Sequence, residues 1–140
     1  MTVNGRHVIR LEFTSRFEML DFWQVVSDHV SRAAGLDEDS LHWVSVAVRE
    51  CVVNAIRHGN REDAGKTVRL SLAVRDDVLE VLVADQGPGF DPSTLPDPFA
   101  PENLLRPDGR GMVMMRSFMD DVSFTFPAGG GTVVRMRKRL

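Results

Sequence analysis

The chain has little that would tie it to an oxidising compartment, a bilayer or a polyanion. A single cysteine, Cys51, in 140 residues excludes an intramolecular disulfide. It sits among apolar residues on a helical stripe and reads as a small core residue, not as a nucleophile. No apolar run approaches the roughly 20 residues that a membrane-spanning helix needs. The opening stretch, MTVNGRHVIRLEF, is too polar and alternates too quickly for a signal peptide. The cytoplasm is therefore the expected compartment, with no membrane partner. A formal charge of −3 removes the general electrostatic case for nucleic acid. What remains, 43% hydrophobic and 26% charged residues, is the composition of an ordinary globular protein. One domain over residues 1–140 is expected, long enough to bury a real core.

The most informative stretch runs from Leu41 to Gly59, LHWVSVAVRECVVNAIRHG. Val44, Val48, Cys51, Val52 and Ala55 recur at helical spacing and mark a buried stripe. Glu50, Asn54 and His58 are spaced by four and share another face, so a carboxylate, an amide and an imidazole can point at one ligand. Asp37 or Asp39 can cap the start of this helix. Gly59, which tolerates a left-handed backbone, can end it.

Around that helix the pattern is legible. His7 to Phe13 alternates as a strand with one buried face. Phe17 to Ala34 reads as a helix with Phe17, Leu20, Trp23 (or Val26), Val30 and Ala34 on its apolar side, ended by Gly35. Trp23 and Trp43 read as core or edge aromatics. Asn60 to Lys66 is a polar loop. Thr67 to Val74 and Val78 to Ala84 form an antiparallel hairpin about Arg75-Asp76-Asp77. Five of the seven prolines lie between Asp91 and Asp108, a stretch that cannot be a long helix or a central strand. Helical spacing resumes from Gly109 to Met119, with Met112, Met115 and Met119 on one side as core. Val122 to Phe126 and Thr132 to Lys138 are two further strands. The arginines of the last are expected to form a solvated edge that discourages strand pairing. The sum predicts an α+β fold, a two-layer α/β sandwich with a mixed, mostly antiparallel sheet and helices on one face.

Two glycine-flanked sites carry the chemistry. Asp85-Gln86-Gly87-Pro88-Gly89 lies where a buried strand meets a turn. A carboxylate there can accept hydrogen bonds from an amine or amide, and the glycines let a ligand approach the backbone. Gly109-Arg110-Gly111 opens the third helix, where free N–H groups and the helix dipole attract phosphate. Arg106 and Arg110 add suitable donors. Neither the P-loop nor the Rossmann pattern fits this second site.

In this order the elements resemble the ATP-binding domain of the GHKL superfamily, which has the Bergerat fold. ECVVNAIRHG is similar to its N box, DQGPGF to its first glycine box and GRGM to its second. The resemblance extends from Glu50 to Met136. Within the superfamily, GRGMVMMRSFMDDVSF and GGGTVVRMRK resemble the small serine/threonine kinases that act as anti-sigma factors, of the RsbW/SpoIIAB type.

The resemblance implies ATP and Mg²⁺ as cofactors. Asn54 would bind Mg²⁺, and Glu50 would be the general base. Asp85 would bind the adenine amino group with support from Thr132. Gly87 and Gly89 would make room for the nucleotide, and Gly109 and Gly111 would fold onto the phosphates. Residues Pro92 to Asp108 would form the ATP lid. Arg106 and Arg110 remain phosphate candidates without a motif position. His58 is expected to order the helix end. The partners implied are a STAS-type anti-sigma factor antagonist, a sigma factor and a second copy of the chain. Two functions follow: a kinase that phosphorylates the antagonist, or a nucleotide-gated module that sequesters a regulator. Glu50 favours the first, because a switch needs no base. A sensor histidine kinase is the weaker reading, since 140 residues leave no room for a dimerisation helix.

Overall fold

The structure, a computed structural model, describes residues 2–3, 6–88 and 116–140, and side chains from residue 8 onward within them. Among the described residues six strands make one sheet: β1 (Thr2–Val3), β2 (Arg6–Thr14), β3 (Thr67–Arg75), β4 (Val78–Ala84), β5 (Asp121–Thr125) and β6 (Val133–Arg139). Their order is β1-β2-β3-β4-β6-β5, and every pairing between them is antiparallel. Two helices, α1 (Leu20–Ala33) and α2 (Glu38–Asn54), contribute to the core on one face.

The register explains that core. Leu11, Leu70, Val83 and Val134 stand side by side across four strands, and Leu72, Val81, Met136 and Val122 form the next row. Because side chains alternate, these rows face one way while Arg69, Glu80, Arg135 and Arg137 face the other. Val44, Val48, Cys51, Val52 and Ile56 of the second helical segment close over the apolar rows, each essentially without solvent contact. The helical stripe and the strand alternation therefore meet in one core, as expected.

The chain ends each element with local chemistry. The Asp37 side chain accepts from the Ser40 N–H at 2.7 Å and caps α2, and these bonds hold its carboxyl below the ordinary range. Past α1, the Gly35 N–H donates to Arg32 O at 3.1 Å and the Leu36 N–H to Ser31 O at 3.2 Å, with Gly35 at φ +102°. This is the paired-bond helix stop that favours glycine. Asp76, at φ +53°, turns the β3–β4 hairpin.

Three expectations need correction or refinement. Residues Phe17–Met19 form a 3-10 turn, so the first α-helix starts at Leu20. On that helix Trp23 is the buried aromatic, 2% exposed, while Phe22 and Val25 stand out at 69% and 70%. Strand β6 is not an edge. It lies between β4 and β5, and its Arg135 and Arg137 bind Glu80 of β4 at 2.9 and 3.2 Å on the sheet's open face. Burial pushes the Glu80 carboxyl up, but Arg137 and Arg135 outweigh it and hold it below the ordinary value. Among the described residues no helix is long and apolar enough to cross a membrane.

Candidate functional site

Strand β4 ends at Ala84, and the next residue, Asp85, is gripped by the start of β6. The Asp85 N–H donates to Thr132 O at 3.0 Å. Its Oδ1 accepts from the Gly87 N–H at 2.9 Å and from the Thr132 N–H at 3.1 Å. Two backbone donors thus fix the carboxylate's direction. Asp85 and Thr132 meet here although 47 residues separate them. Burial raises the Asp85 pKa above its ordinary value, against the two backbone bonds and the charge of Lys66. A half-buried carboxylate of this kind is a strong acceptor that gives up its proton less readily than a surface aspartate.

The helix end is pressed against this carboxylate. A Cβ on Gly59 would lie 2.1 Å from Asp85 Oδ2, and one on Gly87 would lie 1.9 Å from the Gly59 carbonyl oxygen. Neither glycine is left-handed; after the helix end the left-handed residues are Arg61 and Glu62, at φ 52° and 57°, and before β6 they are Gly130 and Gly131, at φ 98° and 85°. Gly59 is therefore glycine because of close approach, not because of a helix-ending φ, which corrects the sequence expectation.

Helix α2 is regular only to Asn54. Residues Ala55–Gly59 form a π-helical turn, marked by the Asn60 N–H donating to Ala55 O at 2.8 Å. Such wide turns occur mostly as single turns within helices, often at functional sites. Glu50 and Asn54, one α-turn apart, are half-buried. The π turn breaks the spacing by four, and His58 is exposed at the helix end. Cys51, between Glu50 and Asn54 in sequence, is buried. Burial first, and then the Asp85 charge, push its thiol far above the ordinary range. It is a core residue and not a nucleophile.

Sequence reasoning missed Asn60, which it had assigned to a polar loop. Its side chain is fully buried. Nδ2 donates to Ser15 Oγ and to Thr67 O, each at 3.0 Å, and Oδ1 accepts from the Gln86 N–H at 2.7 Å. The Gln86 side chain returns a bond by accepting from the Thr67 N–H at 2.8 Å. The only sequence signal was a position, directly after the helix-ending glycine.

Gly89, Arg106, Gly109, Arg110 and Gly111, with the Pro92 to Asp108 segment, Met112 and Met115, lie outside the described residues. On the far side of that stretch, Phe118 stacks on Trp43 with ring centroids 4.4 Å apart, and Met119 is 5% exposed. Trp43, 44% exposed, is thus the edge aromatic that the sequence allowed.

Residues 14–138 match the family described as the histidine kinase-like ATPase domain. The chain is 32% identical over 143 residues to the anti-sigma F factor of Heyndrickxia coagulans, a match covering 96% of this chain and 94% of that protein. It is 28% identical over 143 residues to the serine-protein kinase RsbW of Bacillus subtilis (strain 168), covering 98% of this chain and 88% of that one. A crystal structure of the RsbU and RsbW domains of a Mycobacterium tuberculosis protein shares the fold, with a TM-score of 0.69 at 16% identity. That likeness covers 96% of this chain and 32% of the other. With the expected N-box helix and an Asp85 strand end brought together, and with a family match along nearly the whole length, the chain belongs to the histidine kinase-like ATPase domain family of the GHKL superfamily.

Proposed function

We propose that this protein is an ATP-dependent serine/threonine protein kinase that acts as a cytoplasmic anti-sigma factor in a partner-switching circuit. Its substrate is a hydroxyl of a small STAS-type antagonist, and its other partner is a sigma factor. The observation that carries the reading is the Asp85 carboxylate, fixed by Thr132 and Gly87 and set against Gly59, at the end of the helical segment that carries Glu50 and Asn54. The names of its relatives, anti-sigma F factor and serine-protein kinase RsbW, support the same reading.

The donor set suits a magnesium nucleotide. Asp85 accepts from the 6-amino group of adenine, beside backbone that Gly59 and Gly87 keep free of side chains. Asn54 offers an amide oxygen, a hard ligand of the kind Mg²⁺ takes alongside water and phosphate oxygens. ATP supplies the γ-phosphoryl group, and Mg²⁺ offsets its charge when bound. Glu50 removes the proton from the attacking hydroxyl as the oxygen bonds to phosphorus and ADP leaves. Gly87, Gly89, Gly109 and Gly111 leave room for the nucleotide, and Arg106 and Arg110 meet phosphate. The exposed pair Phe22 and Val25 on α1 suits a contact with a second copy, as in a homodimer.

The test is a pull-down from the host lysate with Mg·ATP and again with Mg·ADP, followed by phosphosite mapping. The expected result is a sigma factor held in ATP and a small antagonist carrying a new phosphoserine or phosphothreonine. Partners that change with nucleotide while none is phosphorylated would make the protein a nucleotide-gated binding module and remove the role of Glu50. Two variants localise the chemistry. Asn54→Ala should abolish Mg²⁺-dependent ATP turnover in folded protein. Glu50→Gln should keep ATP affinity and slow transfer by roughly two to four orders of magnitude.

A further inference from the structure

We infer that Asn60 is a positioning residue for Asp85 and sets how sharply the site distinguishes a purine that carries a 6-amino group from one that lacks it. The inference rests on the proposed role of Asp85. Two peptide groups flank the Asp85 Cα, and each is held by one bond. The preceding N–H, that of Asp85 itself, is held by Thr132 O at 3.0 Å. The following N–H, that of Gln86, is held by Asn60 Oδ1 at 2.7 Å. Thr132 grips the strand side and Asn60 the turn side.

The chemistry at position 60 is demanding. The side chain has no solvent contact, so its polar atoms must be satisfied within the protein. Gln86 N can only donate and Thr67 O can only accept, which fixes the orientation of the amide. One group must accept at one end and donate at the other, and the second donation reaches Ser15 Oγ on the segment after β2. Among short side chains only asparagine supplies that combination in this geometry. Asn60 therefore ties the residue after Asp85 to the first residue of β3 and to the end of the helix that carries Glu50 and Asn54. A shift of the Gln86 peptide swings the carboxylate against the base, and hydrogen bonds to a charged acceptor weaken quickly with misalignment.

The test compares affinities for ATP and for purine riboside triphosphate, which has the same sugar and phosphates and lacks the 6-amino group. Wild type should prefer ATP by roughly ten- to a hundredfold, the scale of one hydrogen bond to a charged group. In Asn60→Ala the preference should fall to about threefold or less. Asn60→Asp keeps an acceptor for the Gln86 N–H while facing Thr67 O without a donor; it should melt lower yet retain most of the preference. Leu72→Ala, a core change remote from the turn, should lower the Tm and leave the ratio alone. If Asn60→Ala does not fold, Asn60→Ser makes the same comparison, because its shorter hydroxyl cannot hold the Gln86 N–H. A wild-type ratio in Asn60→Ala or Asn60→Ser, or an equal loss of ratio in Leu72→Ala, overturns the inference. A wild type that binds both nucleotides equally overturns the adenine role of Asp85 instead, and the inference falls with it.

Discussion

Replacing Gly87 with alanine tests the joint between the helix end and the strand end most directly. The new Cβ would stand 1.9 Å from Gly59 O and 2.6 Å from its carbon, both backbone atoms that cannot rotate away. Real Cβ contacts stop near 3.0 Å, so the two segments must part by about 1.1 Å. Overpacking of this kind costs typically about 1–3 kcal/mol. For a domain of this size each kcal/mol moves the Tm by roughly 3 °C, so the variant should melt about 3–9 °C lower. Misplacement by about 1 Å can cost a hundredfold in rate, and ATP turnover should fall by up to that factor. Gly129→Ala is the internal control: no atom lies within 4 Å of its Cβ, so it should stay within about 0.5 kcal/mol of wild type. Thermal melts and a steady-state ATPase assay on both variants decide the matter. A Gly87→Ala protein that melts and turns over like wild type would refute the close approach and, with it, the steric account of Gly59.

Four further outcomes are expected. Burial raises the folded-state pKa of Asp85 above its unfolded value, so its stabilising contribution is fully present below the unfolded pKa and is lost as pH rises through the folded pKa. Asp85→Asn should remove that slope from melts recorded between the ordinary aspartate range and neutrality; an unchanged slope would show that the shift lies elsewhere. On the proposed adenine role of Asp85, ATP binding needs the ionised form, so wild-type affinity should fall on acidification earlier than an ordinary aspartate would allow, as titration calorimetry would read. Phe22→Glu should turn the proposed dimer into a monomer by light scattering, whereas an unchanged mass would remove α1 from the interface. Ile56→Ala, at a side chain 1% exposed, should cost about 2–5 kcal/mol in urea unfolding, and a loss below 1 kcal/mol would contradict its packing.

The parts of the fold that repeat were legible beforehand. Val44, Val48, Cys51, Val52 and Ala55 are buried because the helical period carried them to one side. The β3–β4 hairpin followed from two apolar runs about a polar triplet. What periodicity does not encode stayed hidden. The order β4-β6-β5 is a choice of partners, so the arginines of β6 looked like an edge and are internal. A π turn has no residue signature, and it displaced His58 from the line of Glu50 and Asn54. Gly59 could be read as glycine by φ or by contact, and only the packed Asp85 side chain decides between them. Asn60 looked like loop because its partners, Ser15, Thr67 and Gln86, are contributed by other segments. The roles assigned to Asp85, Gly87, Glu50 and Asn54 come from resemblance to a family, and spacing alone would have left them as a turn and a solvated face.

The wide turn at Ala55–Gly59 also bears on which insertions and deletions this chain can tolerate. A π turn takes up one residue more than an α turn does, so loss of one residue between Asn54 and Gly59 could be absorbed by tightening the helix. Glu50 and Asn54 would keep their places. A one-residue insertion has no such slack, and every later residue would rotate by about 100°, one residue's share of an α-turn. Gly59 would leave Asp85, and the amide now at position 60 would leave Gln86. A single-residue deletion in this five-residue window should therefore be tolerated better than a single-residue insertion, which uncouples the helix that carries Glu50 and Asn54 from the strand end at Asp85.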